Sequence, residues 1–89
     1  MLVALIARDK PDTLQTRLDN RDAHIAYLKS STVVSQAGPL LDANGDMIGS
    51  LIVLAVDDMS DAEAWAASDP YALAGLFQSV DLIPWNKVI

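Results

Sequence analysis

The chain of 89 residues has no cysteine and a single histidine. Disulfides and thiolate zinc sites are therefore excluded, and one imidazole among scattered aspartates is a poor basis for a structural metal. No metal or cofactor is expected, and a cysteine-free chain is expected to be cytoplasmic. Basic side chains are also scarce: six Lys and Arg stand against twelve Asp and Glu, for a formal charge of −6. Nucleic acid and anionic membranes both require a clustered basic surface, so neither is an expected partner. Long apolar runs are missing too. The opening segment Met1 to Ala7 is too short to cross a bilayer and has neither a basic leader nor a distinct cleavage site, so it is read as a strand.

Against these absences stands a hydrophobic content of 52%, more apolar surface than one small core is expected to hide. The chain reads as one domain over residues 1–89, marginal by itself, and pairing with a second copy is the natural outlet. Leu2 to Ala7 runs apolar without alternation, the pattern of a strand covered on both faces, and Arg8-Asp9-Lys10-Pro11 ends it. From Asp12 or Thr13 to about Ser30, the residues Leu14, Leu18, Ile25 and Leu28 fall on one side of a helix. A joint near Asp19-Asn20 could cap a second helical segment. Thr32 to Leu40 and Met47 to Val56 read as strands, and the Asn44-Gly45 pair between them tolerates positive φ, so they form an antiparallel hairpin. Asp42 to Asp46 has a superficial calcium-loop look, but Gly45 is not at the sixth position and Val53 stands where the bidentate Glu belongs.

Ser60-Asp61-Ala62-Glu63 has capping-box spacing for a short helix through Ala67. Asp69 then suits the N-cap, and Pro70 the first turn, of another helix running to about Phe77. Ser79 to Val88 is the last strand, placed at an edge or bulge because Pro84 has no N–H for a ladder. The resulting order is strand, helix, strand, strand, helix, strand. That is the α+β, ferredoxin-like split βαβ pattern, a four-stranded antiparallel sheet with helices on one face. The open face is expected to receive the sheet of a second copy, giving a dimeric α+β barrel.

His24 sits at the edge of the helical apolar stripe, one turn before Leu28, where an imidazole can be half-buried and still turn one nitrogen toward a cleft. It reads either as a general acid or base or as a surface histidine that merely packs its ring. Asp69 is fully explained as a cap, yet a carboxylate fixed at a helix N-terminus could also orient a facing imidazole. With no serine or cysteine nucleophile beside them, the two together favour proton transfer over acyl chemistry. Arg21 and Arg17 could attract an anion, although a solvated helix face is the plainer reading. Ser50 could point into the same cleft. Tyr71 and Trp85 read as core or interface aromatics as readily as substrate platforms. Asp57 and Asp58 look like loop charges.

Arg21-Asp22-Ala23-His24 through Leu28, Gln36-Ala37-Gly38-Pro39-Leu40, Asn44-Gly45, Gly49-Ser50, Ala64-Trp65-Ala66, Ser68-Asp69-Pro70-Tyr71 and Ile83-Pro84-Trp85, in that order, resemble the YciI-like (YCII-related) family over nearly the whole chain. The resemblance implies a ferredoxin-like monomer that pairs into a dimeric α+β barrel. It also implies a pocket with a His and an Asp as a catalytic dyad, which carry over to His24 and Asp69. Gly38, Pro39, Gly49 and Ser50 match positions around the pocket, the glycines allowing close backbone approach. The chain departs from the pattern at the short Lys29-Ser30-Ser31-Thr32 connection and at Asp22. Relatives in chloroaromatic breakdown suggest dehydrochlorinase-type elimination. The expected function is cofactor-independent proton transfer, of lyase or isomerase type, on a small cyclic or aromatic acid. His24 and Asp69 are its catalytic residues, and Arg21, Gly38, Pro39, Gly49, Ser50 and Tyr71 its substrate contacts. A non-catalytic metabolite-binding module is the alternative.

Overall fold

A computed structural model describes all 89 residues, Met1 to Ile89. The apolar run at the start forms β1 (Leu2–Asp9), in which Val3, Leu5 and Ala7 are buried while Leu2, Ala4 and Ile6 are half-buried. The strand is thus sealed on one face only within a single chain. Helices α1 (Leu14–Asp19) and α2 (Arg21–Ser30) follow, separated at Asn20, whose φ of −106° and ψ of 4° break the helical run. The joint falls where expected, but Asn20 does not cap with its side chain: its Nδ2 donates back to the Thr16 carbonyl at 2.9 Å.

Strands β2 (Val34–Leu41) and β3 (Met47–Ala55) form the hairpin. In the connection only Gly45 takes positive φ, at 83°, and the Asp42 carboxylate accepts from the N–H groups of Asn44 and Asp46, holding the loop closed. Helix α3 (Met59–Ala67) begins earlier than the Ser60-Glu63 spacing suggested. Its N-cap is Asp58, which forms a capping box with Asp61, so this aspartate is a structural cap rather than a loop charge. Helix α4 (Pro70–Leu73) is one turn long and does not reach Phe77, because the backbone turns left-handed at Gly75, φ 71°. Phe77 instead opens β4 (Phe77–Trp85).

The sheet order is β2-β3-β1-β4 with every neighbour antiparallel, the ferredoxin-like arrangement. β4 is an edge strand, which accommodates Pro84 opposite Val3. Val3, Leu5, Ala7, Ile52 and Leu54 share the face that packs on Ala62 and Trp65 of α3. Each large apolar side chain buried there contributes roughly 1.5–3 kcal/mol. Residues directly opposite in an antiparallel pair share a face. The other face therefore carries Ile6 with Leu51, Ala4 with Ile83 and Leu2 with Trp85, and Leu51, Ile83 and Trp85 are exposed on it.

Candidate active site

Asp69 is placed by the chemistry of Asp-Pro. A following proline drives the preceding residue out of the helical region, and Asp69 is extended, with φ −61° and ψ 128°. Its Oδ1 accepts from the Tyr71 N–H at 2.9 Å, the N-cap bond, and lies 2.7 Å from His24 Nδ1. One carboxylate oxygen therefore ties α4 to α2. Asp69 is 1% exposed, and its Oδ2 is the one buried side-chain oxygen or nitrogen without a partner. An ionised carboxylate can only accept, so beside an ionised Asp69 the bond calls for a proton on His24 Nδ1. Nε2 has no protein partner and is not among the sealed polar atoms, so it is the nitrogen turned to accessible space.

Tyr71 fixes the ring from the side. The two rings stack with centroids 3.9 Å apart and 15° between planes, and the Arg17 guanidinium carbon lies 4.6 Å from the Tyr71 centroid. Burial pushes the Tyr71 phenol above its ordinary value despite the opposing charges of Arg17 and Arg21.

Arg17 corrects the reading of a solvated helix face. It is 2% exposed; Nε donates to Asp9 Oδ2 at 2.7 Å and Nη2 to Asp9 Oδ1 at 2.9 Å, with a further bond from Nη2 to Ser50 Oγ at 3.0 Å. Burial works against the guanidinium charge, but the paired bonds and charge of Asp9 outweigh it, so its pKa is raised above its ordinary value. Neither Asp9 nor this network stands out in the sequence. The available signal was the spacing of Arg17, Arg21, His24 and Leu28, one stripe that continues across the joint.

These side chains meet at a cavity of about 200 Å³ between α1, α2 and the β2-β3 hairpin. Arg17, Arg21, His24, Ser50 and Tyr71 supply its polar wall, and Ile25, Leu28, Ala37, Pro39 and Met47 its apolar one. Gly38 also lines it, but a Cβ there would meet nothing within 4 Å, so no close approach depends on that glycine. Gly49 is the correction in the opposite sense. It is not part of the cavity wall; a Cβ on it would fall 2.3 Å from the Ala7 carbonyl oxygen, so it serves strand packing. Arg21 is exposed at the rim. A wider groove of about 730 Å³ lies at the other end of β1, lined by Met1, Asp57, Trp85 and Lys87 among others, without the histidine or any comparable network. No group of three or more His, Cys, Asp or Glu side chains is placed to hold a metal, and no helix is long and apolar enough to cross a membrane.

A family model described as the YCII-related domain matches residues 1–86. Protein YciI of Escherichia coli is 35% identical over 97 aligned positions, covering 99% of each chain. Among solved structures, the 5-chloro-2-hydroxyhydroquinone dehydrochlorinase of Burkholderia phenoliruptrix, in complex with 2,5-dihydroxybenzoquinone, superimposes with a TM-score of 0.90 at 32% identity. That match covers 97% of this chain and 94% of the other. Rv0793 of Mycobacterium tuberculosis matches with a TM-score of 0.66 at 15% identity over the whole of both chains, a likeness of fold.

Proposed function

This chain belongs to the YCII-related domain family, and from that premise we propose that it is a small cofactor-independent enzyme that moves protons on a small hydroxylated or acidic ring. His24 is its acid/base and Asp69 orients the imidazole. The observation that carries this reading is the 2.7 Å bond between His24 Nδ1 and Asp69 Oδ1, made behind a ring whose Nε2 is left for the cavity. Once Nε2 takes a proton, the imidazolium faces a fixed carboxylate with a spare oxygen, an arrangement that favours the charged state formed during reaction. A volume of about 200 Å³ suits a single substituted ring, since one water occupies ~30 Å³ of liquid. The free charge of Arg21 at the rim favours an anionic one.

Elimination of HCl from a chlorinated trihydroxybenzene, the type of substrate named for the Burkholderia structure, fits these parts. A proton is delivered to the ring carbon bearing chlorine and hydroxyl protons are withdrawn. Chloride leaves with the C–Cl bonding pair, and the ring becomes a hydroxyquinone without an external oxidant. One imidazole can carry both proton movements. The uncovered sheet face with Leu51, Ile83 and Trp85 supports a homodimer formed by two sheets packed face to face.

Chloride release from 5-chloro-2-hydroxyhydroquinone tests the reading. The wild-type protein is expected to release it, with His24→Gln slowing the rate by about 10²–10⁴-fold, the range for loss of a general acid/base. Wild-type rates in the variant would remove His24 as the acid/base, and no chloride release by the wild-type protein would leave a non-catalytic metabolite-binding module.

A further inference from the structure

The buried arginine raises a question that proton transfer at His24 leaves open: where the electron pair goes when the proton leaves. A guanidinium carries five N–H donors. Arg17 spends one on Asp9 through Nε and both of Nη2 on Asp9 and Ser50, which leaves the two on Nη1. Beyond these bonds the guanidinium meets the Tyr71 phenol, and Nη1 is not among the sealed polar atoms. Ser50 is in a related position. Its Oγ accepts from Arg17, its own hydrogen has no protein acceptor, and the side chain is buried except toward the cavity it lines. Neither carboxylate of the site lines the cavity: Asp9 is held by Arg17 and Asp69 by His24. The wall presents donors and cations with no competing anion.

We propose that Ser50 Oγ–H and Arg17 Nη1 form an oxyanion subsite that receives the ring oxygen of a phenolate or enolate as His24 withdraws a proton. The proposal rests on the reading of His24 as the proton acceptor. The proton passes to Nε2, the electron pair it leaves is delocalised onto the ring oxygen, and two hydrogen bonds from groups already fixed by the fold stabilise that charge. Because Asp9 holds the guanidinium from behind, no reorganisation is needed when charge develops. Tyr71 touches both Arg17 and His24, so the guanidinium and the base lie against one aromatic ring, and Ser50 lines the same cavity.

The probe is 2,5-dihydroxybenzoquinone, a vinylogous acid that is anionic at neutral pH, with neutral hydroquinone as its control. Each is titrated into the wild-type protein and into Ser50→Ala and Ser50→Thr. Ser50→Ala leaves the Arg17–Asp9 pair in place, and its fold is checked by circular dichroism. The subsite predicts that Ser50→Ala weakens the quinone anion by about 10- to 100-fold, the range for a hydrogen bond to a charged group. It also predicts that the neutral ring changes by less than about twofold and that Ser50→Thr restores most of the loss. Equal weakening of both ligands, or no weakening, overturns the subsite while leaving His24 as base. Failure of the wild-type protein to bind the anion overturns the subsite together with the reading it rests on.

Discussion

Tyr71 lies flat on His24, 3.9 Å between centroids and 15° between planes, and so does for the imidazole face what Asp69 does for its edge. A ring held at both edge and face has one orientation available, which is what a positioned proton acceptor requires. Tyr71→Phe keeps the stack and removes a hydroxyl that meets the Arg17 guanidinium, so stability is expected to fall by only about 0.5–1.5 kcal/mol. Tyr71→Ala is expected to cost about 3–5 kcal/mol, as for other buried aromatics. Denaturant melts of the two variants check this contrast; equal losses would mean that the hydroxyl matters more than the ring.

The Arg17–Asp9 pair is predicted to matter to folding before it matters to chemistry. Its side chains are 3% and 6% exposed, and removing one member of such a pair leaves an uncompensated charge, at a cost of about 3–5 kcal/mol. Asp9→Ala is therefore expected to melt far below the wild-type protein, and replacing both residues by apolar ones of similar volume to recover much of the loss. A double variant no better than the single one would show that the bonds to Ser50 and the contact with Tyr71, rather than the stranded charge, set the cost.

The sheet face predicts an assembly. Ile6, Leu51, Ala4 and Ile83 lie across neighbouring strands on the side away from the helices. Charges placed there, Leu51→Asp with Ile83→Asp, are expected to convert a dimer into a monomer in sedimentation equilibrium. A wild-type protein that sediments as a monomer would contradict it.

Titration of the two tyrosines offers a pH signature. Both phenols are held above their ordinary value of 10.0: Tyr27 by burial and by the charge of Asp69, Tyr71 chiefly by burial. A folded-state value above the unfolded one stabilises the protein below the unfolded value, and that contribution is lost as pH rises through the raised one. Tyrosinate absorbance is expected to lag behind that of the denatured chain on the alkaline side; coincident curves would contradict the burial. Asp58 has the opposite sign, because the Ser60 hydroxyl and the Asp61 N–H favour its charged form and lower its pKa. Its stabilising effect is present above the ordinary carboxylate value and fades as pH falls through the lowered one. Asp58→Ala should accordingly lower the melting temperature at neutral pH, with the gap closing in acid.

Much of this was legible in the residues because it is local. The Asp69-Pro70 cap follows from the steric effect of proline, the hairpin from Asn44-Gly45 between two apolar runs, and the edge position of β4 from Pro84. His24 could be singled out because it is the only histidine and falls on the helical stripe. What stayed hidden depends on neighbours distant in sequence. Arg17 has the look of a solvated charge until β1 is known to bring Asp9, and β3 to bring Ser50, against α1. Gly49 resembles a pocket glycine until the register sets it on the Ala7 carbonyl. The start of α3 is ambiguous in the sequence because two capping boxes overlap in Asp58-Met59-Ser60-Asp61-Ala62-Glu63, and spacing alone does not choose between them.

If Asp69 orients the base, it holds the proton on Nδ1 of His24 and so offers Nε2 to the cavity. With one histidine in the chain, two-dimensional nitrogen–proton NMR of the imidazole reads this without assignment ambiguity. A protonated Nδ1 is expected, with a bare Nε2 whose signal moves when 2,5-dihydroxybenzoquinone binds, and Asp69→Asn is expected to disturb that tautomer. A proton found on Nε2 with Nδ1 bare, or an Nε2 signal indifferent to the bound ring, would contradict it.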